Sequence, residues 1–378
     1  MAFVVTDYGL IYNDDGSLCV TIRENDVPFV GVKSFAVERE TENLFVINGW
    51  STEGEKITDM SLLPSQPPVK PVIASHVPGG ANWQDFVNLD GTFTLSDGQS
   101  LTMSGWFYVK GSYGEFNAQI SVDGTNTGLG IKHITNSGWN YLTWTYTNNT
   151  GADVTIIDAR IENMQPSNWD NNDNEAWGCN YQLELKPFAT SFVDGTRQKG
   201  KFYIPLEKIP FDIVNDDWIV AYWKKPIATH NNTLTGINQM CFGVWTGDES
   251  EGNIYWGKNV NSNYFILGAL YDDGTWTSNS AALYPETYFG NWHFEVVRKN
   301  DNVIDYFVDG VLQCSITLSK PLKTFKKGLS VGGNYDVPAT NTLIANLAFG
   351  FAKDKNSNLI WTDDYIRKVY ESRKPFSE

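Results

Sequence analysis

Residues 303–318 read VIDYFVDGVLQCSITL, and this stretch decides the fold class. Two runs rich in β-branched and aromatic residues flank Asp309-Gly310. Asp-Gly supplies the positive φ angles that a two-residue hairpin turn needs, so 303–308 and 311–318 read as paired antiparallel strands. Working outward, 292–298, 264–270 and 218–223 alternate in the same way. In the first half, Leu101, Met103, Phe107 and Val109 fall on one face of a strand, and 139–146, 153–161 and 181–185 follow the pattern. One helix is expected, at the end of the chain. Thr362 caps it, Asp363 and Asp364 suit the positive end of its dipole, and Tyr365, Ile366, Val369 and Tyr370 form an apolar stripe. Many short strands separated by turn residues predict an all-β chain: two tandem β-sandwich or jelly-roll domains with a short C-terminal helix.

The chain has 378 residues, 41% of them apolar and 14% aromatic, including 14 Trp. That is enough to bury a core in each of two domains. A formal net charge of -16 disfavours nucleic acid and anionic membrane surfaces as partners. The short cluster Lys323, Lys326 and Lys327 does not reverse this. Cys19, Cys179, Cys241 and Cys314 are far apart, so neither a disulfide framework nor a zinc site is signalled. The first ten residues lack the basic start of a signal peptide, and no stretch approaches the ~20 apolar residues of a membrane span. The expectation is a cytoplasmic product that reaches the outside of a cell by release rather than by secretion.

Boundaries are marked by polar and proline-rich stretches. Residues 194–201 (DGTRQKGK) have no apolar period and read as a linker. Pro64, Pro67, Pro68 and Pro71 mark a loop, because proline cannot donate to a sheet ladder. The expected division is an N-terminal arm or attachment segment at 1–36, a jelly roll at 37–193, the linker at 194–201 and a second sandwich at 202–378.

Two stretches resemble known families. Residues 288–312 (YFGNWHFEVVRKNDNVIDYFVDGVL) resemble the laminin-G-like, or concanavalin A-like, lectin domain. Trp292, Val296, Val297, Arg298, Tyr306, Val308, Asp309 and Gly310 carry the likeness, which extends over about 200–378. Residues 181–204 resemble a junction found in bacteriophage tail proteins, through Gln182, Glu184, Ala189, Thr190, Phe192 and Arg197. The region before it looks like a carbohydrate-binding-module jelly roll, through Asn43-Leu44, Gly49-Trp50 and Gly138-Trp139. Together these imply a tail fibre, baseplate or other virion appendage that binds host cell-surface polysaccharide beside other virion tail proteins. They also imply a homo-oligomer, with a trimer as the guess for a fibre. A purely structural virion protein and a polysaccharide depolymerase are the alternatives.

Catalytic motifs are missing from the sequence. His76, His133, His230 and His293 are dispersed, and there is no His-Glu-x-x-His, Gly-x-Ser-x-Gly or phosphate-binding Gly-rich loop. A glycosidase needs two carboxylates at fixed separation across the sugar. Glu184 has Lys186 and Phe188 where a partner would stand on its strand. Glu249 and Glu251 have strand spacing but lie in a polar, Gly-flanked stretch that reads as a turn. Asp216-Asp217 and Asp272-Asp273 are adjacent pairs, which point apart on a strand. The chain is read as no enzyme.

Sugar recognition combines an aromatic face with amides, carboxylates and backbone groups. Three stretches have that mixture: NWDNNDNEAW (168–177) with Trp169 and Trp177, YWGKNVNSNY (255–264) with Trp256 and Asn259, and YDDGTW (271–276) with Asp272 and Trp276. Core packing is the competing reading for each Trp. Asp170, Asp173 and Glu175 offer the oxygen ligands that Ca²⁺ takes, against a plain solvated loop; their spacing is not that of an EF-hand.

Overall fold

The structure, a computed structural model, describes residues 4–5, 10–12, 18–23, 27–38, 40–69, 71–78, 83–111, 113–164, 175–198, 200, 202–227, 240–243, 251–258, 264–283, 288, 290–332 and 342–373. It is nearly all strand, and it divides into two compact units. One unit is continuous, from Glu40 to Arg197. The other is assembled from Met1–Arg39 and Gln198–Glu378. The expected arm at 1–36 does not stand apart. Its strands extend a nine-stranded sheet of the second unit, where Ser34–Val37 pairs antiparallel with Thr342–Phe351. A strand at a sheet edge exposes unpaired N–H and C=O groups, and the N-terminal strands satisfy them here.

The 40–197 unit is a two-sheet sandwich. Thr125–Ile134, Gly114–Val122, Val154–Met164, Asp85–Leu89 and Trp50–Ser51 form one sheet in that order, with Phe93–Leu95 beside Val154–Met164. Trp139–Thr147, Ser100–Val109, Ala176–Glu184, Ala74–Val77 and Glu55–Ile57 form the other. Leu101, Met103 and Phe107 point inward, as their alternation requires, and meet Phe86, Phe116 and Ile161 of the facing sheet in one core. The residues carrying the tail-junction likeness close this unit. Fully buried Glu184 accepts hydrogen bonds from Thr41 Oγ1 (2.8 Å), Thr190 N (2.6 Å), Thr190 Oγ1 (2.8 Å) and Gln182 Nε2 (2.8 Å). Arg197 donates to Ser191 O at 3.0 Å. A carboxylate can be buried because donors surround it. Within the expected linker, Thr196–Arg197 pairs with Thr41–Glu42 and ties the two ends of the unit together.

In the other unit the nine-stranded sheet faces a sheet of six: Phe202–Ile204, Leu329–Val331, Met240–Gly243, Asn253–Lys258, Tyr264–Leu270 and Trp276–Leu283. Trp218, Val220, Tyr222 and Tyr306 meet Phe242, Trp256 and Leu267 between the sheets. The Asp309-Gly310 turn has φ of 53° and 77°, both positive as the hairpin demands. The C-terminal helix Asp363–Ser372 is capped by Thr362, which accepts from Tyr365 N at 3.2 Å. Through Ile366, Val369 and Tyr370 it covers the outer face of the nine-stranded sheet at Trp223, Phe294 and Phe307. Arg298 holds the start of this helix, reaching Trp361 O at 2.7 Å and Asp363 at 2.9 Å while pairing with Asp305 at 2.6 Å. No helix among the described residues is long and apolar enough to cross a membrane.

One ion pair lies between the sheets. Lys224 and Glu295 are both 0% exposed and paired. Glu295 also accepts from the hydroxyls of Tyr222 and Tyr288, and Trp256 Nε1 donates to Tyr222 Oη at 2.9 Å. Burial pulls the Lys224 ammonium below the ordinary lysine range, with Glu295 acting in the opposite direction.

Candidate carbohydrate-binding face

The hairpin 264–283 ends the strand order of the six-stranded sheet, and Asn279 Nδ2 on its last strand donates to Ser315 O at 2.8 Å. Side chains alternate across its strands, so Phe265, Leu267 and Ala269 enter the core while Tyr264, Ile266 and Gly268 face outward. On the neighbouring strand Trp276, Ser278 and Ser280 share the outward face and are exposed. Trp276 is 38% exposed and Tyr264 43%. Tyr255 leans across Gly268, where a Cβ would come within 2.4 Å of the Tyr255 ring. The Tyr255 and Trp276 ring centroids are 5.7 Å apart at 49°. Glycine at 268 therefore lets the tyrosine lie flat against the sheet and support the tryptophan.

The turn that ends this hairpin is tied by Tyr271 N to Thr275 O (2.9 Å) and Gly274 N to Tyr271 O (3.1 Å). Asp273 accepts from Thr275 N (3.0 Å) and Thr275 Oγ1 (2.6 Å) and pairs with Lys320 at 2.6 Å. The hydrogen bonds from Lys320 and Thr275 hold its carboxyl well below the usual carboxylate range. Asp272 is exposed beside it. Two of the residues expected to bind sugar, Trp276 and Asp272, thus share one hairpin.

The other expected residues fare differently. Trp256 is corrected: it is 0% exposed, lies in the core between the sheets, and its indole nitrogen is used by Tyr222. It presents no face to a ligand. Trp177 is half-buried in the 40–197 unit. It stacks on His76 at 4.7 Å and 21° and meets Tyr108 edge-on at 6.0 Å, so one of its faces is already occupied. Trp169, Asp170, Asp173 and Asn259 lie outside the described residues. Glu175 sits 3.4 Å from the Lys110 ammonium, which already takes its charge, and 3.8 Å from His76 Nε2. Among the described residues no group of three or more His, Cys, Asp or Glu side chains gathers to hold a metal, and Glu175 is the one member of the expected Ca²⁺ set that the structure describes.

Sequence reasoning chose Trp256 and Asn259 from the 255–264 stretch and gave no role to Tyr255, and it passed over Ser278, although their alternation with core residues was a readable signal. It also missed an aromatic row on the outer face of the five-stranded sheet of the 40–197 unit. Trp139, Tyr108, Trp177 and His76 stand opposite one another on four adjacent strands. Trp139 Nε1 donates to Ser65 O at 3.1 Å, which holds the proline-rich loop to that strand, and Met60 and Leu63 pack beside it on Ile57, Ala74 and Cys179.

Carboxylates of the kind a glycosidase uses do occur near one another on this unit. Asp85 and Glu162 both approach Arg160 Nε, at 3.8 and 3.6 Å, and Glu162 accepts from Asn117 Nδ2 at 2.9 Å. Both carboxylates are buried, at 3% and 4% exposed, and share the Arg160 guanidinium rather than facing an open cleft.

No protein-family model matches the chain, and no curated protein matches it in sequence. Among solved structures it is similar to the receptor binding domain of botulinum neurotoxin D, with 14% identity, 44% of this chain and 39% of that one covered, and a TM-score of 0.33. The binding domain of Paraclostridial Mosquitocidal Protein 1 gives 9% identity, 46% and 40% coverage, and a TM-score of 0.32. The binding domain of botulinum neurotoxin DC in complex with SialylT gives 12%, 42%, 36% and 0.29. The chain spans about two fifths of the length of these structures or less. Likenesses this distant assign no ligand.

Proposed function

We propose that this protein binds carbohydrate without cutting it, through the Trp276 hairpin, and that it serves as a virion tail or appendage protein on host cell-surface polysaccharide. The observation that carries the reading is the Trp276 ring, 38% exposed and braced by Tyr255, with exposed Ser278 two residues along its strand and exposed Asp272 in the adjoining turn. An aromatic ring takes the apolar face of a sugar, while hydroxyl and carboxylate groups take its hydroxyls. One such site is weak, and display of several copies on a virion, as in a trimeric fibre, raises the effective affinity. The virion setting rests on the likeness at 181–204.

A glycan array probed with Trp276→Ala and Trp256→Ala tests the binding. Trp276→Ala should lose binding and cost less stability than a core truncation, because the ring is 38% exposed. Trp256→Ala should cost about 3–5 kcal/mol of stability, as large-to-small core changes do. Array signals that survive Trp276→Ala undiminished would rule this face out.

A further inference from the structure

The six-stranded sheet carries a single charged residue in its strands, Lys258. Across that side of the sheet Tyr203, Ser330, Cys241, Tyr255, Gly268 and Ser278 stand in register, one per strand, and all are uncharged; Ser330, Cys241, Tyr255 and Gly268 are buried, and the row opens to solvent at Ser278 beside Trp276. The edge hairpin 264–283 contains two carboxylates, Asp272 and Asp273, and no Lys, Arg or His. The cation that approaches it, Lys320, is already committed. Its Nζ lies 2.6 Å from Asp273 Oδ2 and 3.2 Å from Thr275 Oγ1. The Asp272 carboxylate, by contrast, accepts no hydrogen bond among the described residues and is exposed.

Building on the sugar-binding reading above, we propose that the Trp276 face takes an uncharged hexose that donates neighbouring hydroxyls to Asp272, and that it turns away sialylated, uronic and phosphorylated glycans. The reason is electrostatic. An anionic sugar would reach the ring with no cation on the hairpin itself, with Lys320 held by Asp273, and with the Asp272 carboxylate opposing it. A neutral hexose meets the same carboxylate as an acceptor, and hydrogen bonds to charged groups are the stronger kind. The stack on Trp276 needs an apolar ring face, which neutral pyranoses offer.

The experiment is affinity measurement of the full chain against neutral galactans and glucans, sialyl-oligosaccharides and polyuronates, at 20 and 300 mM NaCl. The neutral set should bind with less than about a twofold change between the two salts, since uncharged ligands escape screening. The anionic set should bind at least about tenfold more weakly. Asp272→Lys should lower neutral affinity about tenfold and raise anionic affinity, and that rise should shrink at the higher salt. Anionic probes that bind the unaltered chain as tightly as neutral ones, or more tightly, would overturn the proposal and leave sugar binding itself standing. Failure of every probe of both kinds would remove the sugar-binding reading, and this inference with it.

Discussion

Lys224→Met should destabilise the unit that contains it by about 3–5 kcal/mol, the cost of breaking a buried ion pair from one side. The structure explains why the cost is high. Glu295 is fully buried and is held by Lys224, the Tyr222 hydroxyl and the Tyr288 hydroxyl. Removing the ammonium leaves a fully buried carboxylate with two phenol donors to hold its charge. Because a typical domain is stable by about 5–15 kcal/mol, this change takes a large share of the margin. Lys224→Met combined with Glu295→Gln should recover most of the loss. The charge is then gone from both sides, and the amide oxygen still accepts from the tyrosines. Hydrogen exchange of peptides 218–226 and 293–300 through a denaturant series reads the effect where it arises. If the single variant matches the parent, or the double variant is no better than the single, the pair does not carry the charge balance argued here.

Asp85 offers a pH test. Burial, only partly opposed by Arg160, pushes its carboxyl up to about 7. The folded value exceeds the unfolded one, so its contribution is complete below about pH 4 and is lost as pH rises through about 7. Asp85→Asn should flatten the stability profile between pH 5 and 8 and raise stability at pH 8 by about 2–4 kcal/mol in thermal melts. Gly268→Ala should displace Tyr255, cost about 1–3 kcal/mol and weaken glycan binding along with stability; a crystal structure with the ring unmoved would contradict it. Arg298→Met should cost about 3–5 kcal/mol and speed hydrogen exchange in 363–372, because one guanidinium holds Asp305, Trp361 and Asp363 together.

The strands and the capped helix were legible because their patterns are local. Asp309-Gly310 sets its own φ angles, and Leu101, Met103 and Phe107 share a face through period-2 geometry alone. The binding face was half legible. Trp276 and Asp272 stood out by composition, but Trp256, in an equally suggestive stretch, faces the core. The difference is one of parity within a strand. Trp256 alternates with Tyr255, and only the facing sheet decides which of the two points inward. The role of Gly268 was invisible as well, because its reason is the Tyr255 ring on the adjacent strand.

By itself the sequence determined the all-β character, the acidity that disfavours polyanionic partners, the hairpin turn and the terminal helix. All of these follow from residue chemistry or from neighbours a few positions apart. Tertiary structure decided that the strands Val4–Val5, Leu10–Tyr12, Leu18–Arg23 and Ser34–Val37 complete the sheet of a unit more than 150 positions further on. It decided that Lys224 meets Glu295, and that Lys320 neutralises Asp273 while Asp272 stays open. Those outcomes depend on which strand edges and which faces meet, and pairing between segments far apart in the chain leaves no periodic mark in either one.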